Sequence, residues 1–464
     1  MKNNTEALGT DKVTKLLWKL SLPAGIGMVV MAMYNLVDTI FVGQGIGLAA
    51  IGALAIIFPI QTIITAVALT VGIGGSSIIS RSLGAGNPDK ANLAFANMIT
   101  LIVISGLLMA FLLFIFSEEI LILFGAKGEL LVYGREYFNI VLWGSPFLCF
   151  AMMSNNMIRA EGNAKTAMYT MLVAALINVI LDPIFIFGME WGMSGAAWAT
   201  IISQISAASY VVYYYGSGKS SLKFIRANLK LDRKIVKETL AIGSSSFARQ
   251  FSTSIMAVVL NNSLLQYGGE AAIAVFGVIN RVRMVTFMPI FGVAQGFLPV
   301  AGFNYGAGNF GRVKEAIRIS VMSSTGIATV GFAVLMIFPG PILSAFSSDP
   351  MLANEGVNAM RFIIAGLPLI GIQVISASLF HAMGKALPGF VLSLTRQFFL
   401  LIPLVIILPK YFGLVGIWYA FPIADGLSLL MTLALVMPQR KNLKTTAPQQ
   451  PVEDVITSDI DLIS

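Results

Sequence analysis

Long apolar runs separated by short polar breaks make up almost the whole chain, and the runs have the length of a membrane crossing. A bilayer core takes roughly twenty residues of helix. Runs of that kind lie at 16–42, 48–80, 92–116, 130–155, 165–188, 191–215, 235–266, 271–302, 313–338, 357–380, 387–408 and 412–437. The pattern predicts an all-α integral membrane protein of twelve transmembrane helices, with a basic break at 216–234 and a polar tail at 439–464.

The breaks repeat. LGAGNPDKA, with Gly84, Ala85, Gly86 and Asn87, matches YGAGNFGRVKEA, with Gly306, Ala307, Gly308 and Asn309, at an offset of 306 − 84 = 222 residues. RAEGNA from Arg159 matches HAMGKA from His381 at the same offset, and Gly192, Gly195 and Trp198 return as Gly413, Gly416 and Tyr419. Equivalent loops on one side of the membrane imply parallel repeats, two pseudo-symmetric six-helix bundles related by an axis along the membrane normal. The expected division is an amino-terminal lobe over 1–215, a linker over 216–234, a carboxyl-terminal lobe over 235–438 and a tail over 439–464.

Charge orients this layout. The chain has a net charge of +8, with 57% hydrophobic and 11% charged residues, against about 25% charged in soluble domains. Basic residues fall in alternate loops: Lys2, Lys12, Lys15 and Lys19 before span one, Arg81 and Lys90, Arg159 and Lys165, Lys219 to Lys237, Arg312 to Arg318, Lys385, and Arg440, Lys441 and Lys444. The other loops hold Glu118, Glu119, Glu129, Glu190, Glu270, Asp349 and Glu355, with only Lys127 and Lys410 as bases. The positive-inside rule then places both termini in the cytoplasm, and the basic balance needs no nucleic-acid partner. The amino terminus lacks the pattern of a removable signal peptide.

Several motifs are set aside. GSGKS at 216–220 resembles the end of a phosphate loop, but Tyr213 stands where the first glycine of that loop belongs, so neither nucleotide binding nor ATP drive is expected. The glycines at 84–86 and 306–308 read as tight turns. Cys149 is alone in an apolar run and His381 is the only histidine, expected as a loop residue at the end of span ten. Neither can build a disulfide or a Cys- or His-based metal site.

The polar residues inside the spans carry the chemistry. In LINVILDPIFIFG, residues 176–188, Asp182 lies where a carboxylate costs about 2.5–3.5 kcal/mol on insertion scales. Asn178 shares its face four residues earlier, and Pro183 removes a backbone donor beside it. Span one holds Asp38 at similar depth, with Asn35 one turn before it, and span six offers Thr200. Two carboxylates, an amide and a hydroxyl can form a proton or hard-cation site. The alternative is that each acid only caps a turn or bonds a neighbouring helix. Methionines can repack around varied ligands, and Met31, two turns before Asp38, is the one expected in a substrate cavity, with Tyr34, Asn35 and Asn155 as polar contacts. In the second half Arg249, Arg281, Arg283 and Arg396 lie in or near spans, with Asp425 as the internal acid. They either snorkel toward the surface or give the second lobe a basic character, centred on Arg281, that extends the substrates to zwitterions and anions.

The DTIFVG segment of span one, the repeated GAGN loops, the RAEGN loop and the Asn178/Asp182 spacing resemble the multidrug and toxic compound extrusion (MATE) family, over residues 10–440. Within it they are closer to the MepA-like and DinF-like branches than to the NorM branch. The resemblance implies a coupling site at Asp38, Asn178, Asp182 and Thr200. It also shows a departure: spans seven and ten hold Arg249, Gln250 and Gln373 in place of the acids of the NorM branch. The expectation is a secondary antiporter of the bacterial inner membrane that exports amphiphilic drugs or toxins in exchange for H+ or Na+. It should work as a monomer, without a cofactor and without enzymatic activity. A flippase for a lipid-linked precursor is the alternative; a membrane-embedded enzyme lacks its acidic or His motif, and a channel lacks a filter ring.

Overall fold

The structure is a computed structural model that describes residues 4–345 and 350–442. Lys2, Asp349, Lys444 and the tail beyond Asn442 lie outside the described residues, as do the side chains of Glu355, Arg440 and Lys441. Ten helices are long and apolar enough to span a membrane, and a bent pair makes an eleventh span. One of the ten, Arg233–Gly306, is broken at Gly269 (φ 66°, ψ −167°) into two passes, so the described residues hold the twelve crossings expected from the apolar runs.

They are α1 (Val13–Gly45), α2 (Leu48–Gly84), α3 (Pro88–Ile115), α4 (Glu129–Ala160), α5 (Ala164–Pro183) and α6 (Gly192–Gly216) in the first half. The second half has α7 (233–268), α8 (270–306) and α9 (Phe310–Ile337). The bent pair Pro350–Ile364 and Leu367–Met383 forms α10. Residues 386–407 form α11, and Pro409–Asn442 forms α12. A short helix Asn4–Thr10 precedes α1, and another, Ser117–Leu123, follows α3.

Local chemistry explains the irregular points. Pro183 has no N–H to return to the carbonyl one turn earlier, and directly after it α5 widens into a π-turn over Ile184–Gly188. Asn87 caps α3 by accepting from the Lys90 amide at 2.9 Å, and Asn163 caps α5 by accepting from the Thr166 amide at 3.2 Å. Thus the asparagine of the two GN turns in the first half does the capping, whereas Asn309 makes no such side-chain bond. The basic break is a bound strap rather than a loose connector. Lys223 N donates to Asn92 Oδ1 at 2.8 Å, Asp232 N to Asn97 Oδ1 at 2.6 Å, and Thr100 Oγ1 to the Leu229 carbonyl at 3.0 Å, which pins the strap along α3.

Each half has its own core, around Phe95, Phe138 and Met157 in the first and Phe276, Met360 and Phe421 in the second. A third cluster, with Leu16, Leu20, Phe297, Val300 and Leu379, joins the halves at the end carrying the GAGN turns. The seam there is reciprocal. Gly84 rests on the Phe303 carbonyl and Gly306 on the Arg81 carbonyl, two contacts that exchange under the 222-residue shift. The described hydrogen bonds between halves also lie at this end. Ser77 Oγ donates to the His381 carbonyl, Arg81 pairs with Glu238 at 2.7 Å, and Asn304 and Arg312 donate to carbonyls of the leading helix. The halves are therefore clamped together at the GAGN end.

Candidate functional site

Five helical residues build the polar cluster of the first half. Asp38 and Tyr34, one turn apart, project from α1; Asn178 and Asp182 project from α5, which packs beside it. Asp182 and Asn178 are both 0% exposed, whereas Asp38 is half-buried. The carboxyl groups of Asp38 and Asp182 lie within electrostatic range of each other. A carboxylate only accepts, so two of them side by side call for a proton or a cation. Asn178 Nδ2 donates to Asp182 Oδ1 at 3.2 Å, which fixes the amide with its oxygen facing away from the bond.

Three buried acceptors are then left over. Asp38 Oδ1, Asp182 Oδ2 and Asn178 Oδ1 have no hydrogen-bond partner among the described residues. Buried oxygens without donors are costly, and a cluster of acceptors alone is matched by a proton or a cation. Two carboxylates and an amide suit a monovalent ion. Among the described residues no three His, Cys, Asp or Glu side chains gather as they would for a transition metal.

The fifth member, Tyr137 of α4, was not singled out by the sequence. It is 3% exposed and lies within electrostatic range of Asp38, Tyr34 and Asp182. Thr200, on α6, donates to the Ala196 carbonyl at 3.0 Å. Its described side-chain bond is thus to its own helix, and no described contact joins it to the carboxylates. A buried tyrosine among acids was the missed signal.

The expected substrate contacts are distributed unevenly. Tyr34 belongs to the cluster. Met31 is half-buried one turn from it, and its carbonyl accepts from Asn35 Nδ2 at 2.7 Å, so the exposed Asn35 spends a donor on its own helix. Asn155 is buried, with a partnerless Oδ1, in the part of α4 near Arg159 and remote along that helix from Tyr137. Arg281 is exposed and does not line the cavity of the second half.

That cavity has a volume of about 360 Å³ and lies among α7, α8, α10, α11 and α12. Arg249, Arg283, Arg396 and His381 line it together with Phe287 and Phe291. Arg396 Nε donates to Asp425 Oδ1 at 2.5 Å, and Gln373 Nε2 donates to the Asp425 backbone carbonyl at 2.9 Å. His381 is not the loop residue expected at the end of span ten. It is 6% exposed, with Nε2 2.7 Å from Ser245 Oγ, because the clamped halves cover the end of α10. Of the four arginines, three converge and Arg281 stands apart.

The MatE family model matches residues 23–184 and 246–407, once in each half. The multidrug export protein MepA of Staphylococcus haemolyticus is 27% identical over 433 residues, 93% of this chain and 95% of that protein. The protein of the same name from Staphylococcus aureus strain NCTC 8325 is 27% identical over 434 residues, with the same coverage. A solved outward-facing conformation of a multidrug resistance MATE family transporter of the MOP superfamily superposes with a TM-score of 0.90 at 27% identity, covering 96% of this chain and 99% of the other. With the same figures, so does a MOP superfamily transporter from Pyrococcus furiosus, described as having a binding pocket of reverse polarity that suggests a different function.

Proposed function

Since the chain belongs to the MatE family, we propose that it exports amphiphilic, mostly cationic compounds across the membrane in exchange for protons or sodium ions. A member of this family is a transporter and not an enzyme. The observation that carries the reading is the polar cluster of Asp38, Asn178 and Asp182 on two packed helices, with Asn178 holding one carboxylate and three acceptor oxygens unpartnered. The name multidrug export protein, borne by relatives aligned over 93% of this chain, supports a varied cargo.

Residues 1–215 and 235–438 act as the two lobes, with the strap 216–234, both termini and the GAGN turns on the cytoplasmic side of a bacterial inner membrane. The basic residues of these segments support that orientation. With the GAGN end clamped, the cavity faces outward. A proton or sodium ion entering there settles on Asp38 and Asp182, removes net negative charge, and weakens the hold on a cationic cargo near Tyr34 and Met31. Rocking of the lobes that parts the seam then exposes the pair to the cytoplasm, where the ion leaves and the next cargo binds. Helix α1 runs unbroken through Pro23 in this state, and a proline inside a helix is the point at which it can bend. One charge moving through 100 mV supplies about 2.3 kcal/mol, a gradient of roughly fifty-fold, without ATP.

The test is retention of a lipophilic cationic dye by energised cells. Cells producing the wild-type chain should hold several-fold less dye than cells without it, and Asp182→Asn should abolish the difference. Equal export by wild type and Asp182→Asn would end the assignment. A second reading, a flippase for a lipid-linked precursor, is favoured by the basic cavity of the second half and by likeness to the transporter of reverse pocket polarity.

A further inference from the structure

The cavity of the second half holds more positive charge than its surroundings offset. Arg249, Arg283 and Arg396 line it, and the carboxylate in reach is that of Asp425, which is bonded to Arg396. Arg283 Nη2 donates to Asn280 Oδ1 at 2.9 Å, while its Nη1 is buried with no partner among the described residues. No side-chain bond of the Arg249 guanidinium is found among them either. A guanidinium stays charged and cannot shed its proton to escape burial, so it requires an anion or water.

Both arginines are held in place. The Arg249 guanidinium lies 5.9 Å from the Phe291 ring centre; that of Arg283 lies 5.8 Å from Phe287 and 5.3 Å from Phe421. Stacking fixes the plane of the guanidinium and leaves its edge free to donate. Around these edges Phe287, Phe291, Leu298 and Val374 supply an apolar wall. A cavity of about 360 Å³ is at the scale of small-molecule sites.

Its level relates it to the carboxylates of the other half. Helices α1 and α8 touch where Gly292 meets Gly25. At about 1.5 Å per residue, Asp38 lies roughly 20 Å beyond that contact and Arg283 roughly 14 Å. The two polar groups thus stand at comparable depth on opposite halves.

We propose that the cavity is an anion subsite, in which Arg249 and Arg283 bind the carboxylate, sulfonate or phosphate of a small amphiphile whose apolar body lies against Phe287, Phe291 and Leu298. A zwitterion of suitable length presents its cation to Asp38 and Asp182 and its anion to the two arginines. The inference rests on the exporter reading for its consequence, that the bound anion is carried, but binding itself is measurable without transport.

The experiment uses the purified full-length chain and two probes with one apolar body, 1-pyrenebutyrate and 1-pyrenebutyltrimethylammonium, followed by fluorescence titration. Wild type binds both. In Arg249→Gln or Arg283→Gln the Kd for pyrenebutyrate should rise about tenfold or more, that for the ammonium probe should stay within about twofold, and Arg283→Lys should fall between, because a lysine keeps the charge but not the bidentate fork. Unchanged pyrenebutyrate affinity in both Gln variants overturns the proposal. Parallel loss of both probes overturns it too, since a charge-selective subsite has no claim on the cation. Displacement of pyrenebutyrate by phosphatidylglycerol, but not by phosphatidylcholine, would overturn the small-molecule assignment in favour of a lipid headgroup. Failure of the chain to export the ammonium probe from vesicles would count against the exporter reading alone.

Discussion

At the scale of single residues, the exporter reading makes Asp38 and Asp182 one unit, since the two lie within electrostatic range and Asn178 is bonded to Asp182. Groups that work as a unit are not additive. Asp38→Asn and Asp182→Asn are each expected to lower ion-driven efflux about tenfold or more, and the double variant should be no worse than either single one, as initial rates in vesicles will report. Tyr137→Phe removes only a hydroxyl, but one buried within electrostatic range of both acids, and groups beside an ion's ligands are worth about 10–100-fold in affinity. Its effect should appear as a higher ion concentration for half-maximal efflux, with the maximal rate retained. The acids and Asn178 were legible in the sequence, since a carboxylate in an apolar run is expensive and an amide four residues away shares its face. Tyr137 was not, because a tyrosine eight residues into a span reads as an interfacial aromatic. Arg281 and Arg283 show the same limit. They are two residues apart, on different faces of α8, and an almost uniformly apolar helix gives no periodicity to tell the face lining the cavity from the exposed one.

At the scale of elements, two features decide how the halves are joined. Glu161, between α4 and α5, is 1% exposed and accepts from Tyr214 OH at 2.6 Å, Ser220 Oγ at 2.8 Å and Ser221 N at 2.7 Å, so it anchors the start of the strap. Glu161→Ala leaves those donors unpaired and should cost about 3 kcal/mol, with faster tryptic cleavage at Lys223 and Arg226. Burial is the largest influence on the Glu161 carboxyl and pushes it above its ordinary value against the pull of its donors. A carboxyl that holds its proton more tightly folded than unfolded contributes stability below the unfolded carboxylate range, and that contribution is lost as pH rises toward the folded value. The unfolding temperature should therefore fall with rising pH across that window, and the slope should flatten in Glu161→Gln. The second feature is the glycine seam. A side chain at Gly306 would strike the Arg81 carbonyl, so Gly306→Val should loosen the clamp. With Ser80→Cys as reporter, and Cys149 fully buried as a silent background, labelling by a charged thiol reagent should speed up several-fold. An unchanged rate would mean the seam is not the gate.

At the scale of the whole molecule, the twelve crossings and the repeat were readable because membrane length and loop sequence are local signals. Observed helix ends differ from the apolar runs by a few residues, mainly where α2, α4 and α8 extend beyond the hydrocarbon length into the GAGN and RAEGN turns. The approach of the halves, which covers the end of α10 at His381, was not readable, nor was the packing within the second half that brings Arg249, Arg283 and Arg396 around one cavity. The reciprocal glycine contacts at the seam, and an acidic cluster in one half with a basic cavity at comparable depth in the other, describe a transporter symmetric in backbone and asymmetric in charge. Its central claim is that the Asp38/Asp182 pair couples an ion gradient to export. The most direct measurement is efflux of a cationic amphiphile from vesicles under a pH gradient and a sodium gradient imposed separately, for wild type and Asp182→Asn. The account predicts export driven by at least one gradient in wild type and by neither in Asp182→Asn. Equal gradient-driven export by the two proteins would contradict it.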